Sequence, residues 1–198
     1  MRKKKKAKEA ALLSLYRRNS QTGNIIIDVA LDRYLEFFHE WDNAVFKKRD
    51  LNPELAEFLD ICSEDIPLSK QFDVHFHIKN IALDSEKEKL IIASYHNYYT
   101  ALKKLEDRKV KRIARFSVIL FVIALGFIFL NLIANARAGN QLLPKVLLEG
   151  LLIGGWVFMW EALHMLFFDI LEPFKRKREL KRFLNAEITF SSEIDKGV

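Results

Sequence analysis

The chain has 198 residues, half of them hydrophobic and 29% charged, with a formal net charge of +6. That length leaves room for one modest domain with extras and excludes two full cores. A single cysteine, Cys62, excludes an internal disulfide and any Cys-pair metal or redox motif. The charges are segregated: they crowd residues 1–112 and the C-terminal tail, while 116–171 is nearly bare, the pattern of a membrane protein with soluble ends.

The opening MRKKKKAKEAALLSLYRRNS starts like a signal peptide, but only about five apolar residues precede Arg17 and Arg18, too few for a hydrophobic region. Residues 1–23 are therefore expected to be a solvated basic arm lying near anionic lipid. Without interleaved aromatics the arm has no means of reading bases, so nucleic acid is not expected as a partner. Next, Asn24 to Leu31 is a β-branched run, and Gln71 to Lys79 alternates with Phe72, Val74, Phe76 and Ile78 on one face. Both predict strands.

Between the strands, LDRYLEFFHEWD has helical spacing, and NPELAEFLDIC starts a helix with Asn52 as N-cap and Pro53 in the first turn, closed by Asp65-Ile66-Pro67. After the second strand, Ser85 and Glu88 form a capping box for a helix with the seam Ile91, Tyr95, Tyr98, Leu102, Leu105. That helix is expected to run into Phe116 to Ala134, an uncharged stretch of about 28 Å as a helix, enough for a hydrocarbon core. A link with Ala-Gly-Asn and Pro144 leads to a second apolar segment from Val146 to Leu171. Lys and Arg are dense before the first span and after the second, which places both termini in the cytoplasm by the positive-inside rule.

The tail FKRKRELKRFLN continues as a helix, and Ala186 to Ser192 has strand character. Two strands alone are marginal, so a returning third is expected to complete the sheet. The fold class predicted is an α+β membrane protein: a two-helix transmembrane hairpin inserted in a small cytoplasmic α+β domain of about three strands, both termini contributing. The expected divisions are 1–23 basic arm, 24–112 cytoplasmic domain, 113–135 first transmembrane helix, 136–145 external link, 146–171 second transmembrane helix, and 172–198 basic helix and strand. Open sheet edges make a homo-oligomer an expected partner, beside the lipid bilayer and a cytoplasmic protein.

Arg49-Asp50-Leu51, Asp42, Glu149-Gly150, Gly155-Trp156-Val157, Trp160, Asp169 and Pro173 together resemble a group of prokaryotic two-span membrane proteins of no known activity. The resemblance covers most of the chain from residue 24 onward and implies this arrangement of strands, spans and basic tail. One departure is that Glu161-Ala162-Leu163-His164 stands where the group has Arg-Pro-Leu-Glu, which argues for a paired structural role over a fixed catalytic residue.

Candidate sites follow from residue type. In the second span Glu161, His164 and Asp169 are ionisable groups in an apolar segment, functional candidates because such groups are costly in lipid. Glu161 and His164 have the E-x-x-H spacing of di-iron bundles, but the first span supplies no carboxylate, so no metal or other cofactor is expected. Gly150, Gly154 and Gly155 are helix-packing candidates, toward the first span or toward another copy. On the second strand Asp73, His75 and His77 share a face, either a chelating H-x-H or simply a solvated surface. Arg49 and Asp50 organise the turn before the Asn52 helix or recognise a ligand. No nucleophile motif or phosphate loop is present. The function expected is a non-enzymatic sensing, scaffolding or partner-binding membrane module. The alternatives are an oligomeric membrane-permeabilising effector of phage-defence type or ion-conducting pore, then a membrane-bound enzyme.

Overall fold

A computed structural model of the chain describes residues 13–38, 51–79, 83–137 and 142–193. It is a mixed α+β structure with a four-stranded sheet and long helices, two of which are apolar enough to span a membrane. The chain divides into two compact units, Met1–Lys103 with Arg178–Val198, and Lys104–Lys177.

The first unit is built on the sheet, ordered β1-β2-β3-β4. Strand β2 (Ile25–Leu31) runs parallel to β3 (Phe72–Lys79), with Ile25 opposite Phe72 and Leu31 opposite Ile78. Strand β4 (Ile188–Glu193) runs parallel to β3 on its other side, Val74 facing Ile188. The period of two puts Ile25, Ile27, Val29, Leu31, Phe72, Val74, Phe76 and Ile78 on one buried face. Each such side chain contributes about 1.5–3 kcal/mol by leaving water. The fourth strand, β1 (Arg17–Arg18), pairs antiparallel with β2 from within the segment expected to be a solvated arm. Leu13 there is buried, so apolar anchoring overrides the basic composition.

Helices cover the apolar face. Helix α1 (Pro53–Asp65) begins as expected, the Asn52 side chain accepting from the Glu54 N–H at 2.9 Å. Helix α2 (Ser85–Arg137) is capped one residue earlier than the capping box suggests: the Asp84 carboxylate accepts from the N–H groups of Glu86 at 3.1 Å and Lys87 at 3.4 Å. The seam of α2 is Ile91, Tyr95 and Tyr99; Tyr98 and Leu102 only flank the core and Leu105 is exposed. Spacing by four places Tyr99, not Tyr98, beneath Tyr95. Of the helix expected from Leu31, a single 3-10 turn, Tyr34–Phe37, is described; Phe38 then pairs with Leu51.

The last helix of this fold, α4 (Leu171–Asn185), delivers Phe183 onto Tyr99, rings stacked at 4.3 Å, and onto Phe72 at 4.9 Å. Beside it Arg182 is buried, its guanidinium donating to the carbonyls of Ser63 at 2.7 Å, Ile66 at 2.8 Å and Pro67 at 3.0 Å. These are carbonyls at the C-terminal end of α1, where a helix leaves acceptors unpaired and its dipole favours a cation. Burial lowers the guanidinium's proton affinity, with Glu179 opposing that effect. Arg182 thus ties the C-terminal segment to α1. Replacing it by Met strips several buried acceptors of charged donors, and Arg182→Met is expected to lower stability by about 3 kcal/mol, read from thermal unfolding in detergent.

Candidate functional site

The face of the sheet opposite the helices is polar. Ladder partners share a face, so Asp28 stands opposite His75, His75 opposite Thr189, and His77 opposite Ser191. His75 Nδ1 lies 2.7 Å from Thr189 Oγ1 and its Nε2 2.8 Å from Ser191 Oγ, which in turn is 2.9 Å from His77 Nδ1. At the flank Arg17 forms a two-pronged ion pair with Asp28. Burial is the main cause that lowers the pKa of His75, and the Asp28 carboxylate opposes it.

Proton accounting defines what this row can do. Ser191 has one hydroxyl proton and two imidazole neighbours, so one ring accepts from it while the other donates to it. Thr189, His75, Ser191 and His77 form a chain whose polarity reverses when both rings change tautomer. The geometry places a hydroxyl against a base, as nucleophilic catalysis requires. Thr189 and Ser191 lie on β4, the edge strand of the sheet, so only the N–H groups on its β3 side are committed to the described ladder.

Asp73, expected on the same exposed surface, is instead buried. Its carboxylate accepts from Asn19 Nδ2 and Asn24 Nδ2 at 3.0 Å each, from Thr22 Oγ1 at 3.4 Å and from the Glu187 N–H at 3.4 Å. That set fixes the β1–β2 turn, in which Gly23 takes a positive φ of 72°, to the entry of β4. Asp73 is a structural ligand of the turn and does not join the histidines. Among the described residues no group of three or more His, Cys, Asp or Glu is placed to hold a metal ion. Arg49, Asp50 and Asp42 lie outside the described residues.

In the second unit, α2 packs against α3 (Leu142–His164). Ser117 Oγ donates to the Ala162 carbonyl at 2.7 Å, Ala124 faces Gly155, and Asn131 donates to the Leu148 carbonyl. Partners descend in α3 as they ascend in α2, so the helices are antiparallel, with contacts seven residues apart in each. A seven-residue period keeps one seam facing its partner along the whole contact. Ser117, Ala124, Gly155 and Ala162 are all buried. Small residues let backbones approach closely, and Ser or Asn hydrogen bonds then cross between helices.

The three glycines do not act together. A Cβ on Gly155 would meet Ile128 Cγ1 at 2.9 Å and the Ala124 carbonyl at 3.3 Å; one on Gly154 would touch Phe127 at 3.6 Å; one on Gly150 would meet nothing. The helix α3 also starts at Leu142, inside the stretch expected to be a link.

The expected Glu161–His164 pair does not form. Met165–Asp169 is a π-helical turn, with the Ile170 N–H donating to the Met165 carbonyl at 3.2 Å. In an α-helix residues five apart point in different directions, whereas a π-turn's i→i+5 bonding aligns them. His164 Nδ1 accordingly lies 3.6 Å from Asp169 Oδ1, and the ring stacks on Phe168 at 5.1 Å. The extra residue has a second effect. Seven beyond Ala162 the seam would reach Asp169; the π-turn leaves Asp169 exposed and puts Ile170 half-buried in its stead. Among the described residues the exposed Glu161 carboxylate has no hydrogen-bond or ion-pair partner. For a carboxylate near the middle of an apolar span, insertion scales put the cost at about 2.5–3.5 kcal/mol.

No protein-family model, curated protein or solved structure matches this chain.

Two measurements check these assignments. Because the folded state binds a proton at His75 less readily than the unfolded chain, stability present at neutral pH is lost as pH falls below about 6.5. Thermal melts between about pH 7.5 and 5 should show that loss, and His75→Gln should flatten it. In the helix pair, Gly155→Leu is expected to destabilise by about 1–3 kcal/mol through overpacking, while Val122→Leu, on the exposed side of α2, leaves the melting temperature unchanged.

Proposed function

We propose that this is a two-span integral membrane protein whose soluble α+β unit is a non-enzymatic sensing or partner-binding module, coupled to the spans by continuous helices. The observation that carries the reading is the inside-out helix pair of the second unit. Its interior is small and polar, whereas its outward side chains are large and apolar, with Trp156 63% and Trp160 69% exposed. Only 11% and 6% of the most apolar stretches of the two helices is buried. A core helix of a water-soluble protein would bury most of that surface, and an exposed apolar patch of this extent requires a partner such as hydrocarbon.

Two independent arguments support a hairpin with both flanks on one side. Strands β3 and β4 precede and follow the helix pair, yet pair residue by residue, so the chain must return to the side it left. An even number of crossings satisfies this. Lys and Arg cluster at that end, Arg108, Lys109, Lys111, Arg112 and Arg115 before the first span, with Lys177 paired to Asp107 at 2.5 Å after the second. The opposite end has only Arg137 and Lys145 among the described residues. The positive-inside rule makes the charged side cytoplasmic.

Helix α2 is 53 residues long and unbroken, so the chain passes from Tyr95 and Tyr99 in the sheet unit's core to Ser117 in the helix-pair seam within a single helix. A shift at the sheet would thereby reach the spans. The His75, His77, Ser191 row is the polar surface on which a cytoplasmic partner acts.

The full chain should remain in the membrane fraction after alkaline carbonate extraction, and its overexpression should leave the response of a membrane-potential dye unchanged. Release by carbonate contradicts membrane integration. Dye depolarisation that depends on the two helices supports the permeabilising effector instead.

A further inference from the structure

Resting on the membrane reading above, we infer that a second copy of this chain seats on the side of α3 turned away from α2, and that the two copies exchange reciprocal Glu161–His164 pairs. The argument starts from an unanswered group. Glu161 has no partner among the described residues, although it stands in an apolar helix one turn before His164. Lipid offers no hydrogen bond, so such a carboxyl must face protein or water.

A second copy fits the chemistry on this face. The π-turn engages His164 Nδ1 with Asp169 at 3.6 Å and stacks its ring on Phe168, while Nε2 has no hydrogen-bond partner among the described residues. Copies inserted in the same orientation and related by a twofold axis along the membrane normal bring like depths together. Glu161 and His164 differ in depth by about 4.5 Å, within reach of a glutamate side chain. One proton closes each pair whichever atom holds it: on Nε2 it gives imidazolium with carboxylate, on the carboxyl it gives a neutral hydrogen bond. Each interface then contains two such pairs, each backed by an Asp169.

The backbone permits the approach. Gly150, Val157 and His164 recur at seven residues, the spacing of the α2–α3 seam, but on the other side of the helix. A Cβ on Gly150 would meet nothing within 4 Å, and Val157 is 60% exposed. Charge complementarity selects a second copy over a polar channel: Gly150 to Trp160 has no ionisable residue, so a water column would have no polar lining above the pair.

The test is cysteine cross-linking of the full chain in native membranes, with Cys62→Ser as background. Val157→Cys should form a disulfide-linked dimer on mild oxidation, and Val122→Cys, exposed on α2, should not. Glu161→Leu or His164→Leu added to Val157→Cys should each cut the dimer by about three- to tenfold. Because the pairs are reciprocal, co-expressing the two Leu variants restores one intact pair per mixed dimer. Tagged copies should therefore show mixed dimers exceeding either variant's self-dimer. Equal mixed and self-dimer yields, or no Val157→Cys dimer in carbonate-resistant membranes, overturns the inference. Absence of the chain from carbonate-resistant membranes overturns the membrane reading itself.

Discussion

The structure depends on how closely α2 and α3 approach at Gly155. In the membrane setting proposed above, lipid tails are as apolar as leucine, so apolar contact alone does not hold two helices together there. What does is close packing plus the two hydrogen bonds at either end of the seam, Ser117 to Ala162 and Asn131 to Leu148. Both donate side-chain polarity inward, which leaves the outer surface to Phe, Leu, Val and Trp. The hairpin is consequently the reverse of the sheet unit, where Phe72, Val74, Phe76 and Tyr99 are inside and His75 and Thr189 outside.

The hairpin is also a connection. Parallel neighbours need a long crossover, and the one joining β3 to β4 comprises α2, α3 and α4. Sheet pairing therefore requires the helix pair to return the chain to the sheet. Arg182 and Phe183 secure the return: one caps α1, the other stacks on Tyr99 and Phe72. The C-terminal segment carries Thr189 and Ser191 to the histidines, so the polar row joins residues from either side of both long helices.

Much of this was legible in the residues. Alternation in QFDVHFHIK and the uncharged run from Phe116 are strong periodic signals, and Asn52-Pro53 marks a helix start by a local mechanism. Strand direction was not legible, because alternation is the same in parallel and antiparallel ladders. The row of Thr189 and Ser191 against His75 and His77 needed that register. Their T-F-S and H-F-H patterns, matched in period, were the available clue. The capping shift from Ser85 to Asp84 is a one-residue ambiguity between two good caps.

Other features depend on tertiary context. The π-turn has no signature in MLFFD; its extra residue shows as a break in the seven-residue seam, which would otherwise reach Asp169. That seam is itself visible as Ser117, Ala124, Asn131 and Leu148, Gly155, Ala162, but the more familiar Gly150–Gly154 spacing obscured it. Arg182 looks like any residue of a basic tail, and only the carbonyls at the end of α1 make it a cap.

The central claim is that the sheet is closed across a membrane hairpin. Single-cysteine labelling with a membrane-impermeant maleimide tests it most directly, in intact cells expressing the Cys62→Ser chain. The account predicts that Arg137→Cys is labelled from outside, and that Glu187→Cys is labelled only after the membrane is permeabilised. Labelling of Glu187→Cys in intact cells, or protection of Arg137→Cys until permeabilisation, would contradict it.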